Sequence, residues 1–363
     1  MANIGEIYDQ CTNRLPGHGS SRSMQVILRE LTDSLDGSEN PNMYGSGVFL
    51  NEFEAEIAEL FGKEAAVFMP SGIVAQQIAL RIWCERNRNF NLAMHPTAHL
   101  DYAEYGAFQF LHSMKRLQFG APENLRNRML TVNDFEKLGV KPGAILMELP
   151  YRPLGGQLPD WEELVKIREW AETQHIPLHM DGARIWTCRP FYQKEYHEIA
   201  ALFDSVYVSF YKDLGGLAGA MLLGPKDFIQ EARVWQIRHG GRLYTLGPYV
   251  VSARSGYQRV TPNLHEWVNR ARQVAEIFSE FERVTICPNP PQVNFFQIYF
   301  RGETEVLNEK HLEVAQETGT FLFYGLQPGP ISGTAMTELH CWENAARFDL
   351  QELKPFLERL LQG

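Results

Sequence analysis

Short apolar runs of strand length alternate with longer segments of helical period between about residues 50 and 225. This alternation is typical of a mostly parallel β-sheet covered by helices, because parallel strands need long crossover connections that are usually helical. The first such unit has an amphipathic helix at residues 51–61, a buried strand at 65–69 and a second helix at 73–84. A chain with this pattern is expected to bind its ligands at the carboxyl ends of the strands.

The same pattern continues along the chain and changes after about residue 255. Further strands are predicted at residues 144–149, 177–180, 205–210 and 217–223, and a further helix at 161–173. The last part of the chain predicts a long helix at 264–281, strands near 284–287, 293–300, 321 and 336, and helices after residues 304 and 344. The sequence therefore predicts a smaller α+β unit behind the α/β unit.

The predicted organisation has three parts. Residues 1–40 have no clear period and are expected to be an irregular N-terminal segment that packs on the domains. Residues 41–255 are expected to form the large α/β domain, and residues 256–363 the small α+β domain.

Composition excludes several classes of protein. The 363 residues include 34 Lys and Arg against 44 Asp and Glu, so the formal net charge is −10, and no long basic run occurs. A nucleic-acid partner is therefore not expected. No apolar stretch approaches the roughly 20 residues that span a bilayer, and the polar first residues do not resemble a signal peptide. We expect a cytoplasmic protein whose partner is a small molecule and not a membrane.

Ser71 and Gly72 follow a predicted strand and open a predicted helix. Backbone N–H groups at such a position, together with the helix dipole, favour the binding of an anion such as a phosphate. A serine there is equally typical of an ordinary helix N-cap, so both interpretations stay open. The sequence has neither a P-loop motif nor a dinucleotide-binding glycine motif after a strand, and a nucleotide ligand is therefore not predicted.

An acid and a lysine follow two other predicted strands. Asp181 comes directly after the strand at 177–180, and Lys212 comes after the strand at 205–210 and before a glycine-rich turn. The alternatives are a helix N-cap for Asp181 and a solvated loop position for Lys212. Desolvation lowers the pKa of a lysine and makes it a nucleophile that can carry an aldehyde as an imine. Together with a phosphate-binding helix N-terminus, these residues predict pyridoxal 5'-phosphate as the cofactor.

From about residue 40 to 250 the chain resembles the low-specificity threonine aldolases and related β-eliminating lyases, which are pyridoxal-phosphate enzymes of the aspartate-aminotransferase fold, or fold type I. The resemblance is carried by these segments: Tyr44-Gly45, Asn51-Glu52-Phe53-Glu54, residues 60–66, Pro70-Ser71-Gly72, Ala98-His99, Glu104, Gly106-Ala107, Gly155-Gly156, Asp181-Gly182-Ala183-Arg184-Ile185, Lys212 and Gly219-Ala220. It implies a mostly parallel sheet covered by helices, followed by a smaller α+β C-terminal domain.

The resemblance also implies a role for several residues. Lys212 is expected to bind the cofactor aldehyde, Asp181 to pair with the pyridine nitrogen and His99 to stack on the pyridine ring. Arg184 is expected to bind the substrate carboxylate, because a guanidinium and a carboxylate can form two parallel hydrogen bonds. The candidate cofactor-binding residues are Ser71, Gly72, Ile73, His99, Asp181, Arg184, Ser209, Lys212 and Arg242.

The candidate catalytic residues are Lys212, His99 and Glu104. Glu104 is either a base or a residue that orients His99, and the two roles remain open. His95 and His99 stand four residues apart, as two metal ligands on a helix would, but Pro96 disfavours a helix through His95. We therefore predict no metal site.

The chain departs from the family pattern mainly on the substrate side. Ser46-Gly47-Val48-Phe49 stands where the family usually has an acidic, proline-containing loop, and Tyr211 stands where a serine is usual. Glu338 aligns with an arginine that, in the family, joins the large-domain arginine at the substrate carboxylate. We therefore expect threonine itself to be a poor substrate, and a larger or more polar β-substituent to be preferred.

These features predict a pyridoxal-phosphate-dependent aldolase that cleaves a β-hydroxy-α-amino acid, such as threonine or allo-threonine, into glycine and an aldehyde. One alternative is a β-eliminating lyase or another amino-acid enzyme with the same cofactor, because fold and cofactor leave the reaction open. A non-catalytic binding protein of the same fold is an alternative of a different class. The resemblance further implies a homodimer or homotetramer with shared active sites, in which residues 238–242 reach a neighbouring cofactor phosphate.

Overall fold

The structure is a computed structural model that describes residues 4–18, 23–37, 39–40, 42–119, 125 and 128–362. The strands in these residues are β1 Asn13–Arg14, β2 Ala65–Met69, β3 Asn91–Met94, β4 Lys115–Arg116, β5 Ala144–Glu148, β6 Leu178–Gly182, β7 Ser205–Ser209, β8 Ala220–Gly224, β9 Val284–Cys287, β10 Phe295–Arg301, β11 Thr320–Phe321, β12 Gln327–Pro328 and β13 Thr334–His340.

The α-helices of the same residues are α1 Ile4–Gln10, α2 Met24–Asp33, α3 Val48–Leu60, α4 Gly72–Arg86, α5 His99–Tyr102, α6 Ala107–His112, α7 Val132–Glu136, α8 Trp161–Thr173, α9 Arg189–Tyr192, α10 Tyr196–Ala201, α11 Lys226–Arg238, α12 Gly247–Val260, α13 Leu264–Ser279, α14 Thr304–Thr318, α15 Glu343–Arg347 and α16 Leu353–Leu360. Short 3₁₀ turns lie at Arg152–Leu154, Ile185–Thr187, Thr261–Asn263 and Leu350–Glu352.

The main sheet has the spatial order β2-β8-β7-β6-β5-β3-β4. All pairs from β7 to β4 are parallel, whereas β8 runs antiparallel to both β2 and β7. Every residue of β5, β6, β7 and β8 is buried. Strands buried on both faces are expected to be mostly apolar, as β8 is, and the polar residues that β5, β6 and β7 bury are therefore exceptions. The predicted α/β class with a mostly parallel sheet is confirmed.

Internal contacts divide the chain into two units. The larger unit consists of Ile27–Pro153 and Leu158–Thr261 and contains the main sheet. The smaller unit consists of Met1–Val26, Leu154–Gln157 and Pro262–Gly363. Its antiparallel sheet has the order β12-β13-β10-β9, and β1 pairs with β11. The three-part division at residues 40 and 255 stays a prediction.

The core of the smaller unit follows from the period of its longest helix. In α13 the buried residues are spaced three and four apart, so they form one apolar face: Leu264, Trp267, Val268, Ala271, Val274, Ala275 and Phe278. Part of this face packs with β10 residues such as Phe296 and Ile298 in one hydrophobic cluster.

Several predictions about local structure were wrong. Residues 1–40 are not irregular, because α1 and α2 lie within them. In α2 the apolar residues Met24, Ile27, Leu28 and Leu31 follow a helical spacing. The strand predicted at 217–223 begins only at Ala220, after Gly219 turns the chain with φ +110°. The short strands β3 and β4 were not predicted, nor were α11 and α12.

No helix in the described part of the chain is both long enough and apolar enough to cross a membrane.

Candidate active site

The carboxyl ends of the parallel strands β5, β6 and β7 carry the central polar residues of the site. β5 ends at Glu148, and Asp181 is the next-to-last residue of β6 rather than the residue after the strand. Asp181 pairs in register with Glu148 on one side and with Tyr207 on the other. Because paired residues of neighbouring strands point to the same face, these three side chains meet on one face of the sheet.

Asp181 is almost fully buried, and both of its oxygens accept hydrogen bonds. Oδ1 accepts from the Ala183 N–H at 3.0 Å, and Oδ2 accepts from Nε2 of Gln76 in α4. Burial raises the pKa of Asp181, while Lys212 and the Ala183 N–H oppose that rise. The next helical turn begins only at Ile185 and has no side-chain cap, so Asp181 does not cap a helix.

Lys212 follows the last residue of β7 by three positions and is half-buried. Burial lowers the pKa of its ammonium group, and the carboxylate of Asp181 partly opposes this shift. Arg184 lowers the pKa of Lys212 further. A lysine whose neutral form is favoured in this way is suited to attack a carbonyl carbon.

His99 is the first residue of α5 and is held from two sides. Its backbone N–H donates to Oε1 of Glu148 at 2.5 Å, and its ring Nδ1 lies 3.2 Å from Oε1 of Glu104. The other oxygen of Glu104 accepts from Nε2 of Gln77 in α4 at 2.8 Å. The His99 side chain is 33% exposed and that of Glu104 is 1% exposed, so the ring is fixed at its Nδ1 edge and open to solvent elsewhere.

Glu148 was missed by the sequence reasoning. Burial and the facing Asp181 carboxylate raise the pKa of Glu148 well above its usual range. A carboxylic acid is thus placed beside the His99 backbone and the Asp181 carboxylate. The signal was present in the sequence, because the predicted strand at 144–149 contains an acid near its carboxyl end, much as Asp181 follows the predicted strand at 177–180.

Ser71 is the N-cap of α4, since its Oγ accepts from the Val74 N–H at 3.4 Å. The capping role that the sequence left open is therefore present, and phosphate binding by Ser71, Gly72 and Ile73 stays a prediction. A Cβ on Gly72 would lie 1.9 Å from the hydroxyl of Tyr207, so the helix can approach β7 only with glycine there.

Two tyrosines connect this helix N-terminus to the segment that carries Lys212. The hydroxyls of Tyr207 and Tyr211 lie 3.2 Å apart, and that of Tyr211 also faces the Gly72 N–H. The elements that bear Ser71, Gly72 and Lys212 thus converge, as the sequence predicts for a ligand at the strand ends.

The other candidate residues have the following contacts. Nη1 of Arg184 lies 3.4 Å from Oδ1 of the fully buried Asp213. Ser209, the last residue of β7, donates its hydroxyl hydrogen at 2.6 Å to the carbonyl of Ala183, the residue after β6. Arg242 is exposed, and its guanidinium carbon lies 5.9 Å from the centre of the Tyr44 ring.

His95, which the sequence places four residues before His99, forms hydrogen bonds with residues other than His99. Its Nδ1 lies 2.7 Å from Oγ1 of Thr97, and its Nε2 lies 3.0 Å from the Leu125 carbonyl. Across the described ranges, His, Cys, Asp and Glu side chains form no group of three or more that could hold a metal ion.

Comparison with known proteins agrees with this geometry. The family model for β-eliminating lyases matches residues 38–301. The crystal structure of a proposed L-allo-threonine aldolase from Listeria monocytogenes EGD-E has a TM-score of 0.92 and 38% identity, over 98% of both chains. A proposed aromatic amino acid β-eliminating lyase/threonine aldolase from Exiguobacterium sp. 255-15 has a TM-score of 0.91 and 35% identity, also over 98% of both chains.

Curated relatives are more distant. The low specificity L-threonine aldolase of Escherichia coli O157:H7 is 29% identical over 66% of this chain and 72% of its own length. The matched stretches span 61%, 77% and 64% of the length of three other relatives, from Caenorhabditis elegans, Arabidopsis thaliana and Schizosaccharomyces pombe.

The fold and the residues at the strand ends define a pyridoxal-phosphate enzyme of fold type I. The donor set fits this cofactor, because a buried carboxylate, a lysine of lowered pKa and a helix N-terminus occur together at one end of the sheet. The chain belongs to the β-eliminating lyase family, within which it is similar to the low-specificity threonine aldolases. It is a pyridoxal-phosphate-dependent lyase, so the alternative of a non-catalytic binding protein is wrong.

Proposed function

We propose that the protein cleaves a β-hydroxy-α-amino acid, such as threonine or allo-threonine, into glycine and an aldehyde. The observation that carries the proposal is the position of His99 beside the buried acids: its N–H donates to Glu148, which pairs in register with Asp181, and its Nδ1 lies 3.2 Å from Glu104. Lys212 opposes the rise in the pKa of Asp181. Similarity to proteins described as threonine aldolases supports the choice of reaction.

Cofactor binding is assigned to residues of the larger unit. Pyridoxal phosphate, when bound, withdraws electrons from the α-carbon of an amino acid joined to it. Lys212 would bind the cofactor aldehyde through its amine, and Asp181 would accept a hydrogen bond from the protonated ring nitrogen. Ser71, Gly72 and Ile73 at the start of α4 would bind the phosphate, with Ser209 and Arg242 as further contacts.

His99 is the proposed base as well as the residue that stacks on the cofactor ring. A carboxylate can only accept hydrogen bonds, so a neutral imidazole whose Nδ1 faces Glu104 carries its proton on Nδ1. Nε2 is then free of a proton and can take the proton of the substrate β-hydroxyl as the bond between the α- and β-carbons breaks. In this proposal Glu104 orients His99, and a water positioned by Glu104 is the alternative base.

Arg184 is proposed to bind the substrate carboxylate. Its contact with the buried Asp213 helps to orient the guanidinium group, and a guanidinium can bind a carboxylate through two parallel hydrogen bonds. Because Glu338 aligns with the second arginine of the family, we propose that substrates with a larger or more polar β-substituent are preferred to threonine.

We also propose a cytoplasmic homodimer or homotetramer with shared active sites. Exposed apolar side chains on and between α5 and α6 support a subunit interface in this region, since single domains rarely expose clustered aromatic residues. Tyr105 is 94% exposed and Phe110 is 85% exposed. Arg242 is likewise exposed and is the candidate for a contact with a neighbouring cofactor phosphate.

A product assay tests the reaction. The protein with pyridoxal phosphate is incubated with threonine, allo-threonine and phenylserine, and glycine, aldehyde, 2-oxo acid and ammonia are measured. We expect glycine and aldehyde in equal amounts, and no product with Lys212→Ala. The second candidate reaction is β-elimination, which the family match favours. Release of 2-oxo acid and ammonia without glycine would replace the aldolase proposal with β-elimination.

A further inference from the structure

Four buried or partly buried polar side chains lie behind Asp181, on the side away from the strand ends. Oε1 of Gln76 lies 2.7 Å from Nε2 of His179, and Nδ1 of His179 lies 2.7 Å from Oγ of Ser205. Nε1 of Trp83 donates to the same Ser205 oxygen at 2.7 Å. With the bond from Gln76 to Asp181, these contacts form an unbroken line of hydrogen bonds.

The sheet register and the helix period produce this line. His179 and Asp181 are two residues apart on β6 and so point to the same face, and Ser205 of β7 pairs in register with His179. Gln76 and Trp83 are seven residues apart in α4, which is two helical turns, so they point to the same side of the helix. α4 therefore covers the line at both ends.

The chemistry of the groups gives the line a direction. The Trp83 indole can only donate, and a carboxylate can only accept. If Gln76 donates through Nε2 to Asp181, its Oε1 must accept from Nε2–H of His179. A neutral His179 then accepts on Nδ1, and Ser205 donates to it while accepting from Trp83.

The reversed direction fits less well. Asp181 would have to be protonated and donate to Gln76, and the bonds from Gln76 to His179 and from His179 to Ser205 would reverse, while Trp83 would still donate to Ser205. Ser205 would accept from both Trp83 and His179, and its own hydrogen would find no acceptor in the line. Such a buried hydroxyl without an acceptor is costly.

We infer that these four side chains form a one-way hydrogen-bond line that keeps the Asp181 carboxylate ionised for the cofactor nitrogen. The inference rests on the proposed role of Asp181. His179 and Ser205 have no exposed surface and Gln76 is 1% exposed, so solvent cannot replace the missing bonds if one is removed. His179 contributes as a neutral group, since burial lowers its pKa to about 3. Gln76, His179 and Ser205 are thus positioning residues.

The first test needs no cofactor. The full chain is labelled with ¹⁵N-histidine, and the tautomer of His179 is read from its ring nitrogen resonances, assigned with His179→Gln. We expect a neutral ring with the proton on Nε2 from pH 6 to 8. A proton on Nδ1, or a charged ring, would overturn the inference whatever the reaction of the protein is.

The second test uses the protein loaded with pyridoxal phosphate. Two nitrogens matter for this test: the ring nitrogen of the cofactor and the nitrogen of Lys212 bonded to the cofactor. A positive charge on the ring nitrogen lowers the pKa of the Lys212 nitrogen, whose protonation changes the visible absorbance. Without the Gln76 donor, the ionised form of Asp181 is less stable and holds the positive charge on the ring nitrogen less well. In Gln76→Leu, the pH at which the visible absorbance changes should therefore rise by about one unit. Ser205→Ala should shift it in the same direction and by less, because it only removes the group that fixes the His179 proton.

Ser252→Ala is the matched control. Ser252 is also a buried serine of the larger unit, and its Oγ accepts from the Leu217 N–H at 2.7 Å, outside the line. The pH at which the visible absorbance of Ser252→Ala changes should equal that of the unmodified protein. An unchanged titration in both Gln76→Leu and Ser205→Ala would overturn the inference while leaving the proposed function intact. An unmodified protein that binds no cofactor would instead contradict the proposed function, and the His179 tautomer would still decide the inference.

Discussion

Burial lowers the pKa of two lysines among the described residues, yet their places in the fold differ. Lys212 lies at the carboxyl ends of the parallel strands, beside Asp181. Lys63 has a pKa of about 8, and its Nζ donates at 2.5 Å to the carbonyl of Phe203, a residue that precedes β7. Lys63 therefore lies near the amino end of β7. A lowered pKa alone does not distinguish the two lysines. Their positions at opposite ends of the parallel strands distinguish them.

Borohydride reduction of the loaded protein should therefore label Lys212. Reduction makes the bond between lysine and cofactor permanent, and peptide mapping then locates it. Lys212→Ala should lose the label and the yellow colour while keeping its circular dichroism spectrum, whereas Lys63→Met should keep both label and colour. A pyridoxyl group on Lys63 or Lys226 would refute the assignment of Lys212.

Asp181→Asn tests the acid at the end of β6. An amide cannot hold the ring nitrogen protonated, and a charge-assisted hydrogen bond of about 1.5 to 3 kcal/mol is lost. We expect turnover to fall at least ~10²-fold, since about 1.36 kcal/mol of barrier corresponds to a tenfold change. Asp227→Asn, at an exposed carboxylate 3.0 Å from Arg86, makes the same chemical change and should leave turnover unchanged. Near-normal turnover in Asp181→Asn would mean that Asp181 has no role in the reaction.

Among the elements, α4 has the largest part in the site. Its N-terminus approaches β7 at Gly72, and Gln76 and Gln77 in its second turn bond to Asp181 and Glu104. One helix therefore positions both the acid and the residue that holds His99. The sequence of α4 by itself predicts only an ordinary buried helix that contains two glutamines.

Gly72→Ala should disturb this packing. The added Cβ would lie 1.9 Å from the Tyr207 hydroxyl, which is too close for any side chain, so α4 or Tyr207 must move. We expect the free energy of unfolding to fall by about 1 to 3 kcal/mol, as for other overpacked sites, with weaker cofactor binding. Urea denaturation and cofactor titration measure the two effects. Gly139→Ala, where a Cβ meets nothing within 4 Å, is the control, and equal stability of the two variants would contradict the expectation.

At the scale of the whole molecule, the exposed aromatic residues near His99 predict self-association. Sedimentation velocity should give a dimer or tetramer. Phe110→Glu should shift the protein toward monomer, because a charge is costly to bury in an apolar interface. Val140→Glu, at an apolar residue that is also more than half exposed but lies elsewhere, should not change the mass. A monomer with full activity in the unmodified protein would contradict shared active sites.

Much of the fold could be predicted from local pattern. Strands β2, β5 and β7 and helices α4, α8 and α13 were predicted within a few residues, because buried strands and amphipathic helices have distinct apolar periods. The antiparallel direction of β8 was not predicted. A fully buried strand is apolar in either direction, so its sequence does not show which way it runs.

The sequence by itself determined that an acid and a lysine stand at strand ends, because strand ends are local features. Only the tertiary structure decided which side chains meet there. Gln76 bonds to Asp181 across 105 residues, and Glu148 faces Asp181 because β5 and β6 are neighbours in register. Strand order and helix docking are set by packing between distant segments, so no local pattern carries these contacts. The contacts through which these residues position the proposed catalytic groups could therefore be found only in the folded chain.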